Sequence, residues 1–260
     1  MASAGELAAG ERYKASSRPA RFRAKGAPID TFSLVPVFFG GLPPIGIALV
    51  IALLVLSLGI HEAAHGWVAL QCGDTTARDL GRITLNPVPH IDPFMTIFLP
   101  LVMLYSTNGT IMFGGARPVP VNYYNLRNPL RDMALVAIAG PLSNFLLAAF
   151  FFLCLKLLVQ EFAVWHEGAL GHLVLARTVN FNLLLAAFNL LPIPPLDGSR
   201  VMTWLLPRGI RGTYEGLERW GLVLVVVFVY FVPGVGDLVY TSMLLMRDAI
   251  EAMVTLGHAW

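Results

Sequence analysis

The chain of 260 residues is 56% hydrophobic and only 13% charged, with a mean hydropathy of +0.68. Soluble domains carry about 25% charged residues, so this composition excludes an ordinary soluble domain and indicates a membrane protein. The net charge of +2 is too small for a nucleic-acid-binding surface, and Cys72 and Cys154 are too isolated in sequence to form a disulfide framework.

Residues 1–30 form a polar tail in which Arg12, Lys14, Arg18, Arg21, Arg23 and Lys25 outnumber Glu6, Glu11 and Asp30. Such a stretch buries too little apolar surface to fold; it reads as a solvated basic tail, with attraction to anionic lipid on the cytoplasmic side as the alternative. It does not read as a cleavable signal peptide, because the apolar run behind it ends in His61-Glu62 rather than in a small-residue cleavage site. No charge follows from Thr31 to Leu58, although Gly40-Gly41-Leu42-Pro43-Pro44 interrupts the run. A span needs about 20 residues. The pattern therefore predicts a helix from Pro44 or Ile45 through His65 to about Cys72, with Pro44 in the first turn, where its missing N–H costs nothing. Residues 31–43 are too short to cross and read as an interfacial or partly inserted segment.

That helix ends in His61-Glu62-Ala63-Ala64-His65, an H-E-x-x-H motif. One helical turn separates the two imidazoles on one face, so both can hold a single zinc ion, and Glu62 beside them can take a proton from water.

Residues 73–92 change character. Short alternation from Ala77 to Asn86 predicts one or two small strands, a β-hairpin at the membrane surface, before Asn86-Pro87 and Asp92-Pro93 break the chain. Residues 93–107 are apolar but short and contain Pro100, which fits a short span or a re-entrant segment. A Pro/Gly loop, Gly114 to Asn122, precedes the clearest span, Met133 to Leu155, which carries Gly140-Pro141-Leu142-Ser143-Asn144. The next span is predicted from about Leu173 to Leu191 and runs into Pro192-Ile193-Pro194-Pro195-Leu196-Asp197-Gly198. The last apolar region, Trp220 to Met246, is broken by Pro233-Gly234 and reads as two helical segments. The positive-inside rule puts loops 108–131 and 199–219 in the cytoplasm and 160–172 outside. A single crossing ahead of His61 then leaves the basic tail outside unless 31–43 folds back.

These elements predict an all-α polytopic membrane protein. A three-helix catalytic core is joined by extra membrane segments, with a small β-hairpin or re-entrant element between core helices. The divisions are a tail at 1–30, a membrane-embedded core at 31–220 and C-terminal membrane segments at 221–260.

Two histidines leave a catalytic zinc one protein ligand short. Cys72 shares the face of His65 but lies about 10.5 Å further along the axis, out of reach. His90 and Asp92 sit in a loop that can fold back. Asp197 is the stronger candidate, since a carboxylate at the end of an apolar span is costly unless paired or metal-bound; an ordinary turn Asp before Gly198 is the alternative.

Taken in order, the H-E-x-x-H of residues 61–65, the G-P-x-x-N of residues 140–144 and the N-x-x-P-x-P-x-x-D-G of residues 189–198 resemble the site-2 protease family. These are intramembrane zinc metalloproteases, and the likeness, over about residues 45 to 200, is to the compact bacterial type without a PDZ or CBS domain. The resemblance implies one zinc ion held by His61, His65 and Asp197, with Glu62 as general base and acid. It implies a substrate or oxyanion contact for Asn189; Asn144 is a weaker candidate for the same role, packing being the alternative. Asn182, one heptad before Asn189, reads as a helix–helix hydrogen-bonding residue. By the same resemblance the chain around Arg78 to Asn86 would be an edge to which an unwound substrate adds.

The function expected is an endopeptidase that cuts transmembrane segments of single-span membrane proteins in the lipid bilayer. The place expected is the bacterial inner membrane, with the active site toward the cytoplasm and no nucleic-acid partner. A metal carrier and a catalytically silent scaffold are the alternatives. The first lacks a relay of charged stations across the membrane, and the second has no need of Glu62. Oligomeric state and substrate identity have no signature in the chain.

Overall fold

The computed structural model describes residues 39–106 and 114–256. The basic tail, and most of the 31–43 segment expected to enter the membrane, lie outside these residues. The described chain is mostly helical, and three helices are long and apolar enough to cross a membrane. They are α1 (Pro44–Gln71), α4 (Pro129–Lys156, continued as a π-turn over Leu157–Glu161) and α5 (Leu170–Asn189). At 1.5 Å per residue, the 28 residues of α1 extend about 42 Å, more than a hydrocarbon core needs.

These spans reverse the packing of a soluble bundle. Their buried faces are rich in small or polar residues, with Ser57, Gly59, His61, Ala63 and His65 on α1, Ala137, Gly140, Asn144 and Ala148 on α4, and Thr178, Asn182 and Ala186 beside Phe181 and Leu183 on α5. Large apolar side chains face outward, and on α4 Leu135, Ile138, Leu142, Leu146, Phe150 and Leu153 make one exposed stripe at helical spacing. Lipid is as apolar as leucine, so helices in it associate through close backbone approach and interhelical hydrogen bonds rather than by burying leucine. Asn182 supplies such a bond: its Nδ2 donates to Ser57 Oγ on α1 at 3.1 Å and to Thr178 O at 2.9 Å. Conventional apolar clusters join the ends. Val50, Val174 and Phe181 knit α1 to α5.

Beyond α5 the chain turns through Pro192 to Leu196 into α6 (Asp197–Leu205), then α7 (Arg208–Glu215) and a 3-10 turn over Gly216–Trp220. The turn satisfies its own backbone, with Ile193 N on Leu191 O, Leu196 N on Ile193 O and Tyr214 Oη on Pro192 O. Two C-terminal helices follow, α8 (Gly221–Phe231) and α9 (Val235–Leu256), separated by Gly234 at φ +87, as the Pro233-Gly234 break predicts. Val225 and Val239 from them pack on Leu191, Ile193 and Leu196.

One expectation fails. Among the described residues there is no strand, and the stretch predicted as a β-hairpin is a short helix, α2 (Thr76–Asp79), followed by a turn at Gly81 with φ +64. Thr75 and Thr76 use their hydroxyls on Asp79 and Asp74, which favours a helical turn over extension. With no strand at Arg78 to Asn86, the proposed pairing edge for substrate is absent too. Residues 93–106 are helical, a π-turn over Pro93–Phe98 running into α3 (Leu99–Ser106), too short to cross; Phe94, Ile97, Phe98 and Leu101 line its exposed side.

Candidate metal centre

His61 and His65 face the bundle interior from α1, both buried. Helical spacing brings Nε2 of one to 3.0 Å from Nε2 of the other. Asp197, in the first turn of α6, completes the group, with Oδ2 3.3 Å from His61 Nε2 and Oδ1 3.4 Å from His65 Nε2. Among the described residues this is the His/Cys/Asp/Glu group whose ligand atoms converge, all within 4.8 Å. Four-coordinate zinc with bonds of about 2.0–2.1 Å holds ligand atoms about 3.3 Å apart, close to the three separations found. The outer nitrogens are already engaged: Nδ1 of His65 donates to Val136 O at 2.7 Å, and Nδ1 of His61 lies 3.0 Å from Asn144 Nδ2. This leaves two Nε2 atoms and a carboxylate facing one another, and Asp197 Oδ2 is buried without a hydrogen-bond partner. A cation suits these donors.

The neighbouring elements make room for this convergence. A Cβ at Gly140 would collide with both imidazoles, so glycine there lets α4 approach them. A Cβ at Gly198 would strike the carbonyls of Leu190 and Leu191, so glycine lets α6 start tightly against the end of α5. Burial pushes the Asp197 carboxyl up, but the two adjacent imidazoles outweigh this and hold it below the usual carboxylate range.

Glu62 follows His61 on α1, and its Oε2 accepts from Val119 N at 2.8 Å. Val119 belongs to the Pro/Gly loop, and Arg82 Nη2 fixes the residues before it by donating to Arg117 O at 2.9 Å. Sequence reasoning missed Val119, since a backbone donor has no side-chain signature. It also missed Asp74, a fully buried carboxylate just beyond α1.

The other candidates separate. Asn144 is wholly buried against the His61 ring, with Oδ1 unpartnered. A His61 that gives Nε2 to a metal carries its proton on Nδ1, and a half-turn of the Asn144 amide presents Oδ1 to accept it. Asn189 ends α5, half-buried, its Nδ2 donating to Leu185 O at 3.0 Å. His90 is buried but turned toward Thr84 O at 3.2 Å, and Asp92 caps the Pro93–Phe98 turn by accepting from Phe94 N and Met95 N. Neither joins His61 and His65.

A buried pair of histidines and an aspartate, beside a glutamate on an apolar helix, could hold a metal ion among helices long and apolar enough to cross a membrane. The chain belongs to peptidase family M50, the site-2 protease family: residues 49–168 match the family described as "Peptidase family M50", and the membrane helices accord with it. It is 40% identical over 202 residues to "Putative zinc metalloprotease YwhC" of Bacillus subtilis (strain 168), covering 76% of this chain and 86% of that protein. It is 30% identical over 183 residues to "Putative zinc metalloprotease Rip2" of Mycolicibacterium smegmatis (strain ATCC 700084 / mc(2)155), covering 69% of this chain and 65% of that one. No solved structure matches it. The protein is accordingly an integral membrane zinc metalloprotease.

Proposed function

We propose that the protein cleaves transmembrane segments of single-span membrane proteins, with His61, His65 and Asp197 holding one zinc ion and Glu62 acting as general base and acid. The observation that carries this reading is the convergence of the Asp197 carboxylate on the two Nε2 atoms of a helix apolar enough to cross the bilayer. A zinc ion held by His61, His65 and Asp197 would supply a Lewis acid, able to polarise a peptide carbonyl and to lower the pKa of water to about 7. Glu62 takes the proton from the attacking water and delivers it to the departing amine. The Val119 N–H occupies one carboxylate oxygen, which orients the group and leaves the other for the proton. Asn189 is available to contact the substrate at the mouth of the Pro192–Leu196 turn. A helical substrate must first unwind, because its carbonyls are hydrogen-bonded; Gly or Pro in the span eases this.

The same reading puts the membrane core at residues 31–220 and the tail and C-terminal helices outside it. It assigns the protein to a bacterial inner membrane with the metal end of α1 toward the cytoplasm. The sequence supports this through the arginines of the 199–219 loop, which adjoins Asp197. Gly46 packs on Leu170 at the other end of α1, beside the loop that lacks Lys and Arg.

Purified wild type and Glu62→Gln, reconstituted with single-span candidates, test the reading. Cleavage should fall at least 100-fold in the variant with zinc content unchanged. Equal cleavage by both would remove Glu62 from the chemistry.

A further inference from the structure

Glu62 is oriented by a backbone donor in a stretch with no regular structure of its own, Gly114 to Val121. A loop left free would not hold an N–H on a carboxylate. Its next tie lies three residues on, at Asp74. Asn122 N donates to Asp74 Oδ2 at 2.6 Å, Asn125 Nδ2 donates to Oδ1 at 3.0 Å, and Thr76 donates to Oδ1 through both N, at 3.0 Å, and Oγ1.

Asp74 is in turn fixed to α1. Its N–H reaches Ala69 O at 2.9 Å, after Gly73 at φ +109 turns the chain back. Arg127 N adds a tie to Cys72 O at 3.0 Å. The stretch from Val119 to Asn122 is thus pinned at one end to Glu62 and at the other to a residue just past the C-terminus of the same helix. A fully buried carboxylate survives its desolvation only with a full set of donors. Burial alone pushes its carboxyl up, yet the donors from Thr76, Asn125 and Asn122 outweigh it and hold the group below the usual range.

We propose that Asp74 is a positioning residue for Glu62: by clamping Asn122 and Asn125 it keeps the Val119 N–H on Glu62 Oε2, so that the other oxygen stays aimed at the reacting water. The proposal rests on the reading of Glu62 as the general base. Asp74 touches neither the three metal ligands nor the α4–α5 interface in any hydrogen bond, so its loss should spare zinc binding.

Asp74→Asn is isosteric but turns an N–H₂ toward one of its donors. The probe is a designed single-span polypeptide with Gly-Pro in its apolar stretch, reconstituted with the full chain. The expected result is a kcat reduced about tenfold or more, a KM within twofold of wild type, one zinc per chain retained, and faster amide exchange over residues 115–122. Asn125→Ala, at an exposed position, should shift the same readouts less. An unchanged kcat, or zinc loss in proportion to kcat, overturns the proposal. If Asp74→Asn does not fold, Asn125→Ala decides alone, and a kcat equal to wild type overturns it. Wild type and Glu62→Gln run in parallel. Equal or absent cleavage by both tells against the catalytic reading, whereas amide exchange tests the clamp without any cleavage.

Discussion

The side-chain nitrogen of Asn144 lies 3.0 Å from Nδ1 of His61, the ring nitrogen that the metal-facing group leaves free. An outer hydrogen bond of this kind fixes the tautomer and the ring plane of a ligating histidine, and its loss costs about 10–100-fold in metal affinity. Asn144→Ala should therefore weaken zinc binding by that factor in chelator competition, and Asn144→Asp should recover most of it. Equal affinities in wild type and Asn144→Ala would reduce the contact to packing.

Gly140→Ala asks a different question of the same helix. Its Cβ would meet both imidazoles, which the α4 backbone cannot yield without moving. Overpacking of this kind costs about 1–3 kcal/mol, and here it should also displace the rings. Thermal melting in detergent should drop and zinc per chain should fall with it. Ala148→Gly, further along the same buried face, should leave zinc binding intact.

Ser57 and Asn182 form the buried bond between α1 and α5. In membrane proteins such pairs are worth about 0.6 kcal/mol on average and at most about 1.7. A double-mutant cycle of Ser57→Ala and Asn182→Ala, read by unfolding in detergent, should give a coupling in that range. A coupling near zero would mean that the helices meet without using the bond.

Asp74 gives stability a defined pH dependence. Its carboxyl is held below its ordinary value of 3.8 in the folded chain. The stabilisation is therefore fully present above that unfolded value, declines as pH falls through the interval beneath it, and is gone below the folded value. Wild type should melt higher than Asp74→Asn near neutral pH, with the gap closing below about pH 4. A gap that stays constant down to pH 2 would show that the difference is not electrostatic.

Much of this was legible in the chain because membrane spans announce themselves. The charge-free run and the Pro43-Pro44 start fix α1 to within a residue or two, and spacing alone puts His61 and His65 on one face. Bringing Asp197 to them needed the resemblance, since a turn Asp after a proline cluster has bland readings as well. The strand expected near Arg78 was wrong for a local reason. Its alternation follows Asp74, whose side chain binds Thr76 and starts a helical turn, while Leu80 and Leu85 stay exposed. Val119 had no signal at all, because its contribution is a main-chain N–H. The contact between Gly140 and the imidazoles is invisible in one dimension, although the glycine itself stands in a motif.

The order of the three metal-facing residues along the chain has a consequence for biosynthesis. His61 and His65 leave the ribosome early, and both more distal spans must be made before Asp197 follows. A centre assembled in that order stays incomplete while most of the polypeptide is being inserted. On the ligand set proposed above, the centre can be completed only once about three quarters of the chain has been made.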